Sequence, residues 1–371
     1  MGWLVRDIGI DLGTVNTLIC VGDKIVVDEP SVVAIDRYTK EVLAVGRKAA
    51  SMVGRTPENI VAVRPLRDGV IADFKLTQAM LGNLVDRVVR RRRFWRPRMV
   101  VGVPSGATTV ERRAVVEAAR NAGAREVFLI EEPLAAAIGA GLSIHAPEGA
   151  MVVDIGGGTS DAVVVALGGI VAGKSVRLGG TTMDDAITSY VRYHRGVMLG
   201  EHTAERIKIE IGTAIAGAGG NKGKGDGHDT DGFVSFSSVG SSSIGSDGPR
   251  AAIDVHGRRL VSGLPTKLTI TADEVATALA DCVHGIVGLI KEVLEKTPPE
   301  LAADLVHTGV YLTGGGSLLR GLDRVIARET GLPVRLAEEP LLSVVRGTAM
   351  SLRELQTLRR SSNGLLKGKA S

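Results

Sequence analysis

Short apolar runs separated by glycine turns open the chain. IGID, TLICV and KIVVDEPSVVAID carry the β-branched residues that suit strands. The rhythm changes at 76–90, where Leu76, Met80, Leu84, Val85 and Val88 recur at three- and four-residue steps and predict an amphipathic helix. MVVGVP (99–104) then reads as a buried strand, and ERRAVVEAARNAG as a helix closed by Gly123. VFLI predicts another strand, and PLAAAIGAGL a short helix.

From Met151 the same grammar restarts. MVVDIGGGTSD is a strand followed by a glycine turn, and DAVVVAL is an apolar strand after it. DLGT at 11–14 and DIGGGT at 154–159 each follow one apolar strand and precede another, with their aspartates 143 positions apart. That spacing is one domain length. It predicts an internal duplication in which two lobes offer similar turns to a shared cleft, two unrelated hairpins being the plainer alternative.

Helices are expected at 183–195 and 203–216. Residues 217–250, dominated by Gly, Ser and Asp, break the pattern and read as a flexible insertion. A long helix follows at 272–296, with Val275, Leu279, Val283, Ile286, Ile290 and Leu294 on one stripe. VYLTGGG predicts a strand and turn, with a helix from Ser317 and a last helix from near Leu341; a basic, glycine-containing tail ends the sequence.

Composition narrows the class. A length of 371 residues suits two or three domains. A net charge of +4 is too small to demand a nucleic-acid partner. Cys20 and Cys282 lie in apolar segments without metal-ligand spacing, as buried thiols of a reducing compartment would. The N-terminus lacks the long apolar region of a signal peptide, and no run approaches the roughly 18 apolar residues that span a bilayer. A soluble, cytoplasmic chain is expected.

The glycine turns carry the candidate chemistry. Backbone N–H groups left free by glycine cradle phosphate oxygens, and carboxylates beside them can hold a hydrated Mg²⁺. Asp11 heads the first turn, with Gly13, Thr14, Val15, Asn16 and Thr17. Asp154 heads the second, with Gly156, Gly157, Gly158 and Thr159. Gly314, Gly315, Gly316 and Ser317 make a third turn after a strand. Three such turns favour a nucleotide cleft, while the absence of GxxxxGK[ST] excludes a P-loop. Glu132 follows a buried strand and precedes Pro133, so it is placed to orient a water for attack on a γ-phosphate. The alternative makes Glu131 and Glu132 N-terminal charges favoured by the helix dipole. Glu205 and Lys208, three apart, also suit a surface ion pair.

These motifs resemble the MreB family of bacterial actin homologues. The similarity is carried by DLGTVNT (11–17), LIEEPLAAAIG (129–139), DIGGGT (154–159), TAERIKIEIG (203–212), EKTPPEL (295–301) and YLTGGGSLLRG (311–321). The resemblance implies an α/β actin-like ATPase fold: two duplicated RNase H-like lobes with smaller inserted subdomains around a nucleotide cleft. The implied division is a first lobe over 1–147, a second over 148–345 that contains the 217–250 insertion, and a C-terminal helix and basic tail over 346–371. It further implies ATP and Mg²⁺ as ligands, self-assembly into membrane-associated filaments, and partners in cell-wall synthesis and cell shape. Asp11 and Asp154 would serve the Mg²⁺ through water, Glu132 would position the hydrolytic water with Thr159 as its partner, Glu205 and Lys208 would flank ribose and adenine, and residues 314–317 would close over the adenosine.

The chain departs from that pattern at Ser160-Asp161, where the family usually has threonine and glutamate, and in LGGTTMD (178–184). The insertion either retunes filament packing or is a tolerated loop. A small-molecule kinase, a chaperone-type ATPase and a plasmid-segregation filament are the rival readings on this fold. Finally, VVRRRRFWRPRMV (88–100) joins six arginines to Phe94 and Trp95. In the family this loop faces the membrane, so Phe94 and Trp95, joined by Trp3 and Leu4, are the expected foot on an anionic membrane surface, with Arg90 to Arg93, Arg96 and Arg98 meeting lipid charge. A solvated corner and a nucleic-acid arm are the alternatives; no nucleic-acid partner is expected.

Overall fold

The computed structural model describes residues 7–89, 96–216, 251–358 and 365–367. The insertion at 217–250 and the candidate membrane residues Trp3, Leu4, Phe94 and Trp95, with Arg90 to Arg93, lie outside them.

Two sheets carry the structure, and they repeat one topology. In the first, Lys24–Pro30, Asn16–Val21 and Ile8–Leu12 form an antiparallel meander, followed by Arg98–Val103 and Glu126–Glu131 in parallel. In the second, Gly169–Val176, Ser160–Ala166 and Ala150–Ile155 form the meander, followed in parallel by Val310–Thr313 and Val334–Leu336. The strands bearing Asp11 and Asp154 therefore occupy equivalent central positions, as the internal repeat predicts. A short strand, Leu365–Lys367, adds antiparallel to Glu126–Glu131 at the edge of the first sheet. Two small three-stranded sheets stand apart, one made by residues 33–63 and one by residues 197–271. KIVVDEPSVVAID, read as one run, is divided between them and the main sheet: Lys24–Pro30 stays in the first sheet and Val33–Asp36 turns into a small one.

Apolar alternation becomes continuous burial in the central strands because both sheet faces are covered. Phe74–Val89 and Thr109–Asn121 cover one face of the first sheet around Ile8, Ile10, Met80, Leu84 and Val101. Ala272–Lys296, with its stripe of Val275, Leu279, Val283, Ile286 and Ile290, helps cover the second. Its start is set by a reciprocal cap in which Thr271 Oγ1 accepts from the Glu274 N–H and Glu274 Oε2 accepts from the Thr271 N–H. The 203–216 helix is shorter than expected, Glu201–Ile211, because Gly212 leaves helical geometry and Thr213 bridges to Arg320. Residues from Ser317 form only a tight turn, and the α-helix begins at Leu322. Neither cysteine forms a disulfide; both are buried.

Two helices join the sheets. Glu132–Gly139 leaves the first sheet and packs on strands of the second. Ser343–Leu358 follows the second sheet in the chain but packs on Ile8–Leu12 and Arg98–Val103 of the first. They cross against one another through glycine: a Cβ on Gly139 would lie 1.8 Å from the Ser343 carbonyl oxygen, and one on Gly347 would lie 1.8 Å from that of Ala135. No side chain fits there, so the backbones themselves meet.

Candidate functional site

The first turn is braced from behind. Thr17 Oγ1 and Ser31 Oγ lie 2.8 Å apart, and Ser31 Oγ donates to the Gly13 carbonyl at 2.6 Å. Thr14 Oγ1 accepts from the Gly69 N–H at 2.8 Å. The second turn is closed by the Gly156 N–H donating to the Thr159 carbonyl at 2.9 Å. The two turns then meet. A Cβ on Gly157 would sit 2.3 Å from Val15 Cγ2, and one on Gly158 would sit 2.5 Å from Thr14 Oγ1 and 2.9 Å from Asp68 Cα. The third turn is tied to the second sheet by Thr313 Oγ1, which donates to Asp154 Oδ1 at 2.9 Å.

Between the turns lies a cavity of about 490 Å³. Asp11, residues 13–16, Gly69 and Glu132 line it from the first half; Asp154, residues 156–159, Glu205, Lys208 and residues 314–316 line it from the second. Of the nucleotide-site residues expected from sequence, only Thr17 and Ser317 are absent from its wall. Thr17 is buried against Ser31, and Ser317 Oγ donates to the Gly314 carbonyl at 2.6 Å, so both support turns from behind. Lys208 does not pair with Glu205: its Nζ donates to Asp184 Oδ2 and to the Gly180 carbonyl, both at 2.9 Å.

The adjacent glutamates divide their tasks. Glu131 Oε1 accepts from Arg112 Nη2 at 3.1 Å, a structural ion pair. Glu132 is buried beneath Gly102 and faces the cavity. Crowded carboxylates give this end of the cavity its electrostatics. Burial first, then the charge of Asp154, pushes Asp11 up to about 7. Burial raises Asp154 to about 6 against the hydrogen bond from Thr313, and raises Asp161 to about 7. Glu132 rises well above its ordinary value through burial and the neighbouring Asp11, Asp161 and Asp154. Such a cluster seeks positive charge. Among the described residues no three His, Cys, Asp or Glu side chains converge to hold a metal by themselves. The hard oxygens of Asp11 and Asp154 fit Mg²⁺ only with water and ligand phosphates completing its shell.

Above the cavity the halves touch again. Arg64 donates from Nε and Nη2 to Glu201 Oε1, and His202 Nε2 lies 3.3 Å from the Ala50 carbonyl oxygen.

A sequence model of the MreB/Mbl protein family matches residues 5–244 and 237–360. The chain belongs to the MreB/Mbl family. It is 49% identical over 358 residues to the cell shape-determining protein MreB of Escherichia coli K12, covering 95% of this chain and 94% of that one. MreB5 of Spiroplasma citri bound to ADP superposes with a TM-score of 0.82 at 33% identity, over 97% of this chain and 99% of that one. The same protein bound to AMPPNP gives 0.81 at 32% identity, over 98% and 100%. The MamK double helical filament shares the fold, with a TM-score of 0.72 at 20% identity over 93% of this chain and 98% of that one. The fold is the actin-like one. Ser160 and Asp161 lie behind the second turn: Ser160 Oγ donates to the Leu178 carbonyl at 2.6 Å, and Asp161 is wholly buried.

Two groups in this region escaped the sequence reading. Asp68-Gly69 is the tip of a hairpin, Leu66–Arg67 with Val70–Ile71, and wedges against the first two glycine turns. Its DG turn residues were the available signal, both with positive φ as a tight hairpin demands. Asp184 had none, since its role depends on Lys208 arriving from another helix.

Proposed function

We propose that this chain is an actin-like cytoskeletal ATPase that binds ATP in the cavity, assembles with copies of itself into membrane-associated filaments, and organises cell-wall synthesis and cell shape. The observation that carries the reading is the convergence of three glycine turns and the carboxylates of Asp11, Glu132 and Asp154 on one cavity between two repeated sheets. Family membership supports the cytoskeletal and cell-shape part, and MreB5 with ADP or AMPPNP supports the nucleotide part.

In this reading the N–H groups of residues 13–16 and 157–158 receive the phosphates, as backbone nests do. Lys208, Glu205 and residues 314–316 receive the nucleoside. Asp11 and Asp154 would hold magnesium through water, and its positive charge would let these carboxylates ionise. Glu132 orients a water and takes its proton as the water oxygen bonds to the γ-phosphorus; the bond to the β,γ-bridging oxygen breaks and leaves on ADP. Thr159 holds the same water from the opposite half.

The membrane part rests on Trp3, Leu4, Phe94 and Trp95, outside the described residues, and on the arginines beside them. Arg98 is committed elsewhere, since its Nε and Nη2 pair with both carboxylate oxygens of Asp7 at 2.9 and 2.5 Å. No helix among the described residues is long and apolar enough to cross a membrane. Sedimentation with ATP-Mg²⁺, with and without anionic liposomes, tests the whole reading: the protein is expected to pellet with ATP and to carry lipid with it. A chain that stays monomeric and in the supernatant at high concentration would sink it.

A further inference from the structure

The second residue of strand Ser160–Ala166 is a buried carboxylate with no part in the mechanism above. Asp161 pairs directly with Asp154 on one neighbouring strand and with Ser175 on the other, so the three side chains form a row on one face of the second sheet. The first half sits on this row. The Ser105 N–H donates to Asp161 Oδ1 at 3.0 Å, and a Cβ on Gly106 would lie 3.2 Å from Ser175 Cβ. Asp161 Oδ2 and Ser105 Oγ are both buried without a hydrogen-bond partner. Two orphaned polar atoms on residues already joined by a hydrogen bond, one from each half, are costly unless another arrangement pairs them.

The contact extends to the reacting groups in both directions. On the second half, Thr159 closes the turn that leads into the strand of Asp161 and Ser175 stands opposite Asp161, and both hydroxyls counter the rise that burial imposes on its carboxyl. On the first, the Ser105 carbonyl accepts from Arg112 Nη2, which also holds Glu131, the neighbour of Glu132.

We propose that Asp161 is a positioning residue for nucleotide hydrolysis: it takes the Thr159 hydroxyl proton as a hydrogen bond, so that the Thr159 lone pairs face the attacking water, and Ser105 makes this orientation depend on the position of the first half. The inference rests on the ATPase reading above. A carboxylate only accepts, so it fixes the direction of the Thr159 hydroxyl; an asparagine presents an NH₂ at one position and can reverse it. When the halves rotate, Ser105 Oγ and Asp161 Oδ2 become each other's partners, and Thr159 is set only then.

Single-turnover phosphate release and ATP affinity, measured on the full chain under polymerising conditions, test the proposal. Asp161→Asn is expected to keep its ATP affinity within about threefold while release slows about tenfold or more, the scale of a misplaced reacting group. Asp161→Glu, which restores an acceptor-only group, is expected to recover most of the rate. Ser105→Ala keeps the N–H and is expected to slow release about threefold at unchanged affinity. It also serves if the asparagine variant does not fold. Wild-type release from Asp161→Asn or from Ser105→Ala would overturn the proposal, as would a glutamate variant no faster than the asparagine one. A wild-type chain that binds ATP and never releases phosphate would instead overturn the hydrolysis reading itself, and this inference with it.

Discussion

Arg64 and Glu201 are joined across the mouth of the cleft, 137 residues apart in sequence, through two guanidinium nitrogens on one carboxylate oxygen. The pair is partly exposed, so its strength is that of a surface ion pair, about 0.2–1 kcal/mol. It must break when the small sheets part to admit or release nucleotide. Glu201→Gln is therefore expected to speed nucleotide exchange by roughly 1.4- to fivefold, the Boltzmann factor of that energy. Displacement of a fluorescent ATP analogue measures it, and raised salt should bring the wild type towards the variant. Equal exchange rates at low salt would mean that another contact holds the mouth.

Glu132→Ala should leave ATP binding and filament assembly intact and slow phosphate release by roughly 10²–10⁴-fold, the usual worth of a general base. Glu131→Gln is the control. It breaks the Arg112 ion pair and should cost stability more than rate. Reversed effects in the two variants would exchange the assignments.

The turns tolerate no side chain where they touch. Gly158→Ala would drive a methyl group into the backbone of Asp68 and Gly69, and Gly157→Val would strike Val15 and fill the phosphate's place. Each should weaken ATP binding by at least tenfold, about 1.4 kcal/mol or more. Calorimetric titration checks this, and wild-type affinity in both would refute the assignment of the turns to phosphate.

The crowded carboxylates make a prediction about pH. Asp11 and Asp161 stand near 7 and Asp154 near 6 in the folded chain, against 3.8 ordinarily. Between those values the folded state binds more protons than the unfolded one, so stability falls as pH rises through this window. Nucleotide-free protein should therefore lose roughly 3–8 °C of Tm between pH 5 and 7.5. Asp11→Asn, or saturation with ATP-Mg²⁺, should flatten that slope. Exposed carboxylates held low by hydrogen bonds and nearby cations, such as Asp36 and Glu329, act in the opposite sense and set the acid limit below about pH 4. A Tm that rises from pH 5 to 7.5 would contradict the cluster.

Phe94→Ala with Trp95→Ala should reduce sedimentation with anionic liposomes while leaving ATP-dependent pelleting without lipid unchanged. Equal liposome binding would remove these two aromatics from the membrane foot.

Much of this was legible in the sequence where local pattern and chemistry agreed. The strand–turn–strand units at Asp11 and Asp154, the stripe from Val275 to Ile290 and the three glycine turns were all readable, because each feature lies within a dozen or so residues. What escaped depends on distant segments meeting. Nothing near Ser105 announces Asp161, and nothing near Lys208 announces Asp184. The Glu131 and Glu132 ambiguity had the same origin, since Arg112, which separates their roles, arrives from another helix. The pairing of Arg98 with Asp7 was not legible either, because the two lie 91 residues apart.

The meeting of Gly139 and Gly347 carries a mechanical consequence. Backbones that meet at Gly139 and again at Gly347, with no side chain between them, are locked against sliding past each other. The junction between the halves is thus a fixed seam, and parting of Arg64 from Glu201 has to be taken up by rotation about it. Gly139 closes the helix that Glu132 opens, so a movement at the seam is passed along one short helix to that carboxylate.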